Sequence, residues 1–370
     1  MGSIKQNYAN NVLTNGKFDA TDLDGVIPNT NINDNSIDNI TVFGTAGAGI
    51  PSVASDPPSA SQGDMWYNTT TNTLKYAGVG VASWASGTAM TTARANSMYG
   101  GSQTAAIAGM SFGNTNTEIY NGSTWTEVND SNTGRSATDC GGSTSSAIGA
   151  GGYIPGSGNS ALCEYFDGTN WTEVGDLTSA KRDGSGGSGT GTSLIIAGGT
   201  VGAPLGSDSG ATQSWDGTSW TEVNDLNNVR IGGGLFGTSS SAGLFAGGGP
   251  STPTYRTYAE IWNGTSWTEV ADLNSGRAGG HGSGVSTLGL IFGGQEPAPA
   301  GGLSAKTEEW NGSTWTETND LSTARAGSGA SNTGGTSTAA LTFGGETPSP
   351  STSVEVWSLS PFSAKSITTA

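Results

Sequence analysis

The sequence predicts an all-β protein built from one repeated unit, and three observations indicate this. Of its 370 residues 62 are glycine and only 12% are charged, and this composition is poor in the residues that helices favour. The decapeptide NGSTWTEVND, which begins at Asn121, returns with small changes at Asp167, Asp216, Asn263 and Asn311. Each copy places Asn-Gly or Asp-Gly between two aromatic residues, which is typical of a type I′ hairpin turn between two strands.

The residues around the decapeptides repeat with them, at a period of about 47 residues. An arginine comes first, followed by an apolar run that ends in glycine, such as LIFGG from Leu290, then an aromatic residue and finally a tryptophan. Each unit therefore contains four short strands, which is what one blade of a β-propeller requires. The repeated residues are Arg94, Arg135, Arg182, Arg230, Arg277 and Arg325, and Trp84, Trp125, Trp171, Trp220, Trp267 and Trp315.

The repeated arginines have two interpretations. They could form a cationic ring for an anionic ligand, or each could join neighbouring units through an acidic partner. An aspartate stands five or six residues before most of them, and a glutamate occurs in most third strands. We favour the structural interpretation, because one residue per repeat is what contact between units demands.

In this order of arginine, glycine pair, aromatic residue and tryptophan, residues 90–360 resemble kelch β-propellers. The resemblance implies an all-β, kelch-like propeller, and it says little about activity, since propellers have many functions. Six blades are favoured, because Trp84 precedes Arg94 by the interval that separates Trp125 from Arg135, so its strand would complete the last blade. Seven is the alternative, in which Phe362 completes that blade instead.

Composition and residue counts argue against several functions. The net charge of −17 would repel phosphate backbones, so no nucleic-acid partner is expected. No apolar run is long enough for a membrane span or a signal peptide, so we predict no membrane insertion. A single histidine, His281, provides no multi-histidine metal site, and we predict no enzyme activity, no metal and no cofactor. A glycan-cleaving carboxylate pair among the repeated glutamates stays an alternative.

The connections between the second and third strands vary in length and composition from unit to unit. Strand alternation places them on the face of the arginines, away from the Asn-Gly turns. Loops on a rigid scaffold often carry binding sites, although neutral drift would produce the same variation. The candidate ligand-binding residues in them are Tyr153, Pro155, Pro204, Leu205, Tyr255, Arg256, Tyr258, Pro297, Pro299 and Pro348.

Residues 1–62 do not belong to the repeat. Ile27, Ile32, Ile37 and Val42 recur every five residues among asparagines and aspartates, a pattern too polar for an independent core, so this segment is expected to dock onto a partner. The predicted organisation is an attachment or oligomerisation segment (1–62), a hairpin with the ring-closing strand (63–90) and the propeller (91–370).

The leader, with SQGDMWYNTTTNTLKY (61–76) after it, resembles the N-terminal attachment parts of bacteriophage tail-fibre and virion adhesion proteins. The resemblance implies a non-enzymatic virion protein, assembled in the host cytoplasm, that binds other virion proteins through its N-terminus. It also implies a propeller that recognises a host-surface glycan or protein, and a homo-oligomer, of which a trimer would suit a fibre. A purely structural fibre or decoration subunit without a ligand is the alternative.

Overall fold

The computed structural model describes residues 13–14, 17–18, 50–58, 60, 63–183, 186–202, 207–250, 255–297, 302–359 and 362–367. Every regular element within these residues is a β-strand, so the all-β class is confirmed. The chain divides into two compact units, Ala82–Ser358 and a terminal unit of Met1–Val81 with Leu359–Ala370. The predicted attachment residues lie outside the described residues: Ile27, Ile32, Ile37 and Val42.

Within the described part of Ala82–Ser358, six antiparallel sheets of four strands follow one another along the chain, and we number them 1 to 6. This arrangement is compatible with a β-propeller-like fold. Sheet 1 consists of Met98–Ser102, Ala105–Gly109, Thr117–Tyr120 and Trp125–Val128. Sheet 2 consists of Asp139–Ser143, Ser146–Ala150, Cys163–Phe166 and Trp171–Val174. Sheet 3 consists of Gly187–Thr190, Ser193–Ala197, Thr212–Trp215 and Trp220–Val223. Sheet 4 consists of Gly234–Ser239, Ala242–Ala246, Ala259–Trp262 and Trp267–Val270. Sheet 5 consists of His281–Val285, Leu288–Phe292, Thr307–Trp310 and Trp315–Glu317. Sheet 6 consists of Gly329–Ala330, Ala339–Phe343, Val354–Leu359 and Ala82–Ser86.

The fourth strand of sheet 6 comes from the other end of the unit. Ala82–Ser86, which carries Trp84, lies beside Val354–Leu359, so the strand of Trp84 belongs to sheet 6. The tail strand Phe362–Ser366 pairs instead with Thr73–Val79, in register from Phe362 opposite Val79 to Ser366 opposite Lys75. The tail therefore groups with the terminal unit, because Phe362–Ser366 lies along the edge of strand Thr73–Val79. The sequence prediction placed the tail in the propeller.

The terminal unit contains a sheet of four strands in the order Ser52–Val53, Met65–Asn68, Thr73–Val79 and Phe362–Ser366. A second pair of strands, Leu13–Thr14 and Lys17–Phe18, is antiparallel. Asp56 joins the larger sheet by accepting hydrogen bonds from Lys75 Nζ (2.8 Å), Asn68 Nδ2 (2.8 Å) and Trp66 Nε1 (2.9 Å). These donors lower the pKa of Asp56 to about 2.

The turn between the third and fourth strands differs from the predicted type I′ turn. Tyr120 pairs with Trp125, so four residues lie between them, and of the central pair only Gly122 has a positive φ, at 92°. Asn121 Oδ1 accepts hydrogen bonds from the backbone N–H groups of Ser123 (3.0 Å) and Thr124 (2.9 Å). A carboxylate oxygen can accept the same two bonds, which explains why Asn and Asp alternate at this position.

Six backbone hydrogen bonds connect the segments that lead from each fourth strand into the next sheet, which we call incoming segments. Each bond involves a residue with positive φ, between 49° at Asn96 and 65° at Gly279. The bonds run from Asn96 N to Gly327 O (2.8 Å), Gly327 N to Gly279 O (3.0 Å), Gly279 N to Gly232 O (2.5 Å), Gly232 N to Asp183 O (3.0 Å), Asp183 N to Ala137 O (3.1 Å) and Ala137 N to Asn96 O (2.8 Å). The last bond returns to the residue where the first began, so the six segments are linked in a cycle.

Candidate functional site

Buried ion pairs account for five of the six predicted arginine positions. In each, an arginine of the incoming segment contacts the glutamate of the third strand in the same sheet. The Nη2 to Oε1 distances are 2.7 Å for Arg94–Glu118, 3.5 Å for Arg135–Glu164, 2.7 Å for Arg230–Glu260, 2.7 Å for Arg277–Glu308 and 2.8 Å for Arg325–Glu355. No side chain in these pairs is more than 4% exposed. These arginines are therefore inside the scaffold and do not form a cationic surface.

Arg277 shows how each pair organises its sheet. Its Nη1 donates to the carbonyls of Lys306 (2.8 Å) and Gly293 (3.2 Å), which frame the connection between the second and third strands. Glu308 also accepts hydrogen bonds from the backbone N–H groups of Asn274 (2.7 Å) and Ser275 (3.2 Å). Of the two acidic partners considered for the arginines, the third-strand glutamate is the one used, because it reaches both the guanidinium and the incoming backbone.

Sheet 3 departs from this pattern, and the assignment of Arg182 to the repeat was wrong. Lys181 takes the buried position, with its Nζ 3.0 Å from Asp139 Oδ2 and neither side chain exposed. Gln213 replaces the third-strand glutamate and accepts a hydrogen bond from Thr178 N (3.0 Å). Arg182 is partly exposed instead. The prediction missed by one position because the repeat period does not distinguish two adjacent cations, and Lys181 is the one that points inward.

The six predicted tryptophans are buried, and each packs toward the preceding sheet. Where the third strand of that sheet begins with threonine, the indole Nε1–H donates to its hydroxyl, at distances of 3.0 Å for Trp171 to Thr117, 2.9 Å for Trp267 to Thr212 and 3.0 Å for Trp84 to Thr307. Where it begins with Cys163 or Ala259, the indoles of Trp220 and Trp315 have no acceptor among the described residues. Trp125 donates to Thr88 O (3.1 Å) and packs on Phe343 of sheet 6.

A short segment between the first and second strands of sheet 6, residues 331–335, contacts the first strands of the five other sheets, and we call it the axial segment. Asn332 Nδ2 donates to Cys140 O of sheet 2 (3.3 Å) and Gly187 O of sheet 3 (3.1 Å). The contacts with the remaining sheets are Gly237 N to Asn332 O (2.9 Å) in sheet 4, Ser283 Oγ to Ser331 O (3.0 Å) in sheet 5 and Gly101 N to Thr333 Oγ1 (3.1 Å) in sheet 1.

His281 lies among the same first strands. Its Nδ1 is 2.6 Å from the Tyr99 hydroxyl, and burial lowers the pKa of His281 to about 4. Burial also raises the pKa of the Tyr99 hydroxyl and of both cysteine thiols, to about 12 for Cys163. The imidazole is therefore neutral near pH 7 and the thiols are protonated, which suits packing and not nucleophilic chemistry.

A cavity of about 290 Å³ opens at the turns between the first and second strands of sheets 1 to 3. Glycines and the hydroxyl residues Ser102, Ser143 and Thr190 line it, together with Thr333 and Gly334 of the axial segment. It lacks charged lining residues and lies at the opposite ends of the strands from the connections predicted to bind a ligand.

The predicted ligand-binding residues lie on the connections between second and third strands, which we call the rim. Described residues of the set are Tyr153, Pro155, Tyr255, Arg256, Tyr258, Pro297 and Pro348, whereas Pro204, Leu205 and Pro299 lie outside the described residues. Three small sheets also form here: Tyr153–Ile154 with Gly158–Asn159; Lys181–Arg182, Thr200–Val201 and Ser207–Asp208; and Gln295–Glu296 with Gly302–Leu303.

Neighbouring rim connections contact each other. Asn159 Nδ2 of sheet 2 donates to Gly202 O of sheet 3 (2.8 Å), and the Tyr255 hydroxyl of sheet 4 donates to Gln295 Oε1 of sheet 5 (2.9 Å). All three candidate tyrosines thus have structural contacts, since Arg182 lies over the ring of Tyr153, 5.1 Å from its centroid, and Arg256 lies over the ring of Tyr258 at 5.6 Å. Arg256 remains exposed at the rim.

Sequence reasoning missed Phe112, which is 58% exposed on the rim of sheet 1. The available signal was its replacement of the glycine-rich pattern that follows the second strand in the other units, where MSFGN stands from Met110 to Asn114. An aromatic residue in that polar, glycine-rich position has no role in the repeat.

No protein-family model matches the sequence, and no curated protein matches it. In the part of the chain that the structure describes, no three histidine, cysteine, aspartate or glutamate side chains come together as a metal site. Nor do the described residues form a helix that could cross a membrane.

Proposed function

We propose that the six sheets are the blades of a closed, six-bladed propeller of the kelch type. Support comes from the cycle of six backbone hydrogen bonds and from the tryptophans, since each sheet contacts the one before it and sheet 1 contacts sheet 6. The axial segment adds contacts from sheet 6 to all the others. Radial repetition of short sheets leaves only short, protected sheet edges, and a closed ring makes a rigid base for the rim.

The propeller acts as a recognition domain, and the N-terminal segment attaches it to a bacteriophage virion. The observation that carries recognition is the distribution of side chains: the repeated arginines are buried in ion pairs, whereas the rim exposes Phe112, Pro155, Arg256 and Pro348. Exposed, unrepeated side chains on a rigid base are typical of binding surfaces. Attachment to a virion is supported by the resemblance of the leader and of SQGDMWYNTTTNTLKY to phage attachment segments.

The proposal is tested on particles of a phage whose genome encodes this chain and on the purified full-length chain. Immunogold electron microscopy with antibodies against the repeat region should label the particles, and the purified chain should bind host cells and compete with particle adsorption. Particles without label would overturn the virion role. Labelled particles whose adsorption the chain does not affect, with no binding of the chain to cells, would favour a purely structural subunit.

A further inference from the structure

The rim of sheet 1 holds an exposed phenylalanine in a backbone conformation that disfavours it. Phe112 and Gly113 form the turn between Ser111 and Asn114, whose backbones exchange hydrogen bonds of 3.1 and 2.7 Å. The φ angles are 42° at Phe112 and 81° at Gly113, and a turn of this kind normally carries Asn or Gly at both positions. A bulky residue there is strained, and with 58% exposure the ring recovers little through packing.

The tip of this turn lies against the rim hairpin of sheet 2. A Cβ atom on Gly113 would be 3.4 Å from Pro155 Cγ, and Pro155 is exposed. Two residues earlier, the ring of Tyr153 supports the Arg182 guanidinium at 5.1 Å. Arg182 Nε is 3.1 Å from the carboxylate of Asp183, and both side chains are partly exposed. Phe112 and Pro155 thus lie on two adjoining hairpin tips. The planar, charged Arg182–Asp183 pair lies on the incoming segment beside them.

This combination fits the chemistry of a sugar. A pyranose has apolar C–H faces that stack on aromatic and proline rings, and hydroxyl edges that exchange hydrogen bonds with planar guanidinium and carboxylate groups. The Arg182–Asp183 pair balances its own charge, and the net charge of −17 disfavours an anionic ligand. A neutral saccharide therefore matches the patch better than a uronic or sialic acid.

We propose that Phe112, Pro155, Tyr153 and the Arg182–Asp183 pair form a binding site for a neutral oligosaccharide. The proposal rests on the recognition role above and assigns that role to the rim of sheets 1 and 2 with the incoming segment of sheet 3. Phe112 stacks on a sugar ring, and Arg182 and Asp183 bind hydroxyls of the same chain. The strain at Phe112 is retained because it holds the ring outward.

The test measures binding of the full-length chain to an array of immobilised neutral hexose and N-acetylhexosamine oligosaccharides, with uronic-acid oligosaccharides for comparison. The wild type should bind neutral members. Phe112→Gly should weaken that binding at least about tenfold, as loss of an aromatic anchor does. It should also raise the midpoint of thermal unfolding by about 2 °C, because glycine relieves the positive φ. A residue needed for packing would show the opposite thermal shift.

Phe112→Tyr, which keeps an aromatic face, should retain binding. Leu288→Ala, which removes a side chain 49% exposed on sheet 5 away from the rim, should leave binding unchanged. Wild-type affinity in Phe112→Gly would overturn the site. Binding only to uronic-acid oligosaccharides or only to a host protein would overturn the neutral sugar and leave recognition standing. Failure to bind cells at all, measured in the preceding experiment, overturns the recognition role itself.

Discussion

The outer parts of the sheets and their central first strands are built in different ways. Outside, the same contacts recur from sheet to sheet: an arginine on a glutamate, a tryptophan on the preceding sheet, and a backbone bond between incoming segments. At the first strands the contacts are unique, and they come from the axial segment and from the Tyr99–His281 pair. The repeated contacts make the sheets equivalent, whereas the unique contacts join sheet 6 to the five other sheets.

The largest expected effect comes from breaking a repeated ion pair. Arg277→Met leaves the buried carboxylate of Glu308 without its cation, which should lower the free energy of unfolding by about 3–5 kcal/mol. Urea unfolding followed by tryptophan fluorescence measures this. Glu317→Gln, on the exposed face of the fourth strand, is the control and should change stability by less than about 0.5 kcal/mol. An unchanged midpoint in Arg277→Met would contradict the importance of the pair.

Removing the central contact of the axial segment should have the next largest effect. Asn332→Ala leaves the carbonyls of Cys140 and Gly187 without this donor, which should cost about 2–3 kcal/mol in unfolding free energy. Asn129→Ala, which removes an exposed amide bonded to Asn170, is the matched control and should be nearly neutral. If both variants unfold alike, the axial segment does not stabilise the unit of six sheets.

The histidine among the first strands should make stability depend on pH. Its pKa is about 4 when folded and ordinarily 6.5, so the unfolded chain binds the proton first as pH falls, and stability is lost below about pH 7. The free energy of unfolding should fall by about 2 kcal/mol between roughly pH 7.5 and pH 5. His281→Gln should remove this loss. Burial raises the pKa values of Asp183 and Glu309, and these groups contribute equally to the wild type and to His281→Gln. A loss of equal size in His281→Gln would therefore assign the pH dependence to a group other than His281.

The smallest effect concerns the tryptophan bonds, where the repeat is incomplete. Ala259→Thr supplies the acceptor that Trp315 Nε1 lacks among the described residues and should stabilise the protein by about 1 kcal/mol. Thr212→Ala removes the acceptor of Trp267 and should destabilise it by a similar amount. Thermal unfolding of both variants measures the two shifts. Shifts in the same direction would mean that packing at this position outweighs the hydrogen bond.

Sequence reasoning was most successful where a residue serves the same purpose in every unit. The tryptophans, the strand order and the strand of Trp84 all followed from spacing. It failed by one position at Arg182, because a period cannot distinguish two adjacent cations when only one points inward. It also assigned the wrong turn type, because Asn-Gly is compatible with several turns and the pairing of Tyr120 with Trp125 selects the longer one.

The sequence by itself determined the all-β class and the unit of four strands, because periodic patterns of charge and aromatic residues reflect local geometry that every unit shares. Only the tertiary structure decided the rest. It brought residues 331–335 to the first strands of five other sheets, paired the tail strand with Thr73–Val79 and placed Gly113, the neighbour of Phe112, against Pro155. These contacts join residues that are distant in the chain, and each occurs only once, so no sequence period predicts them.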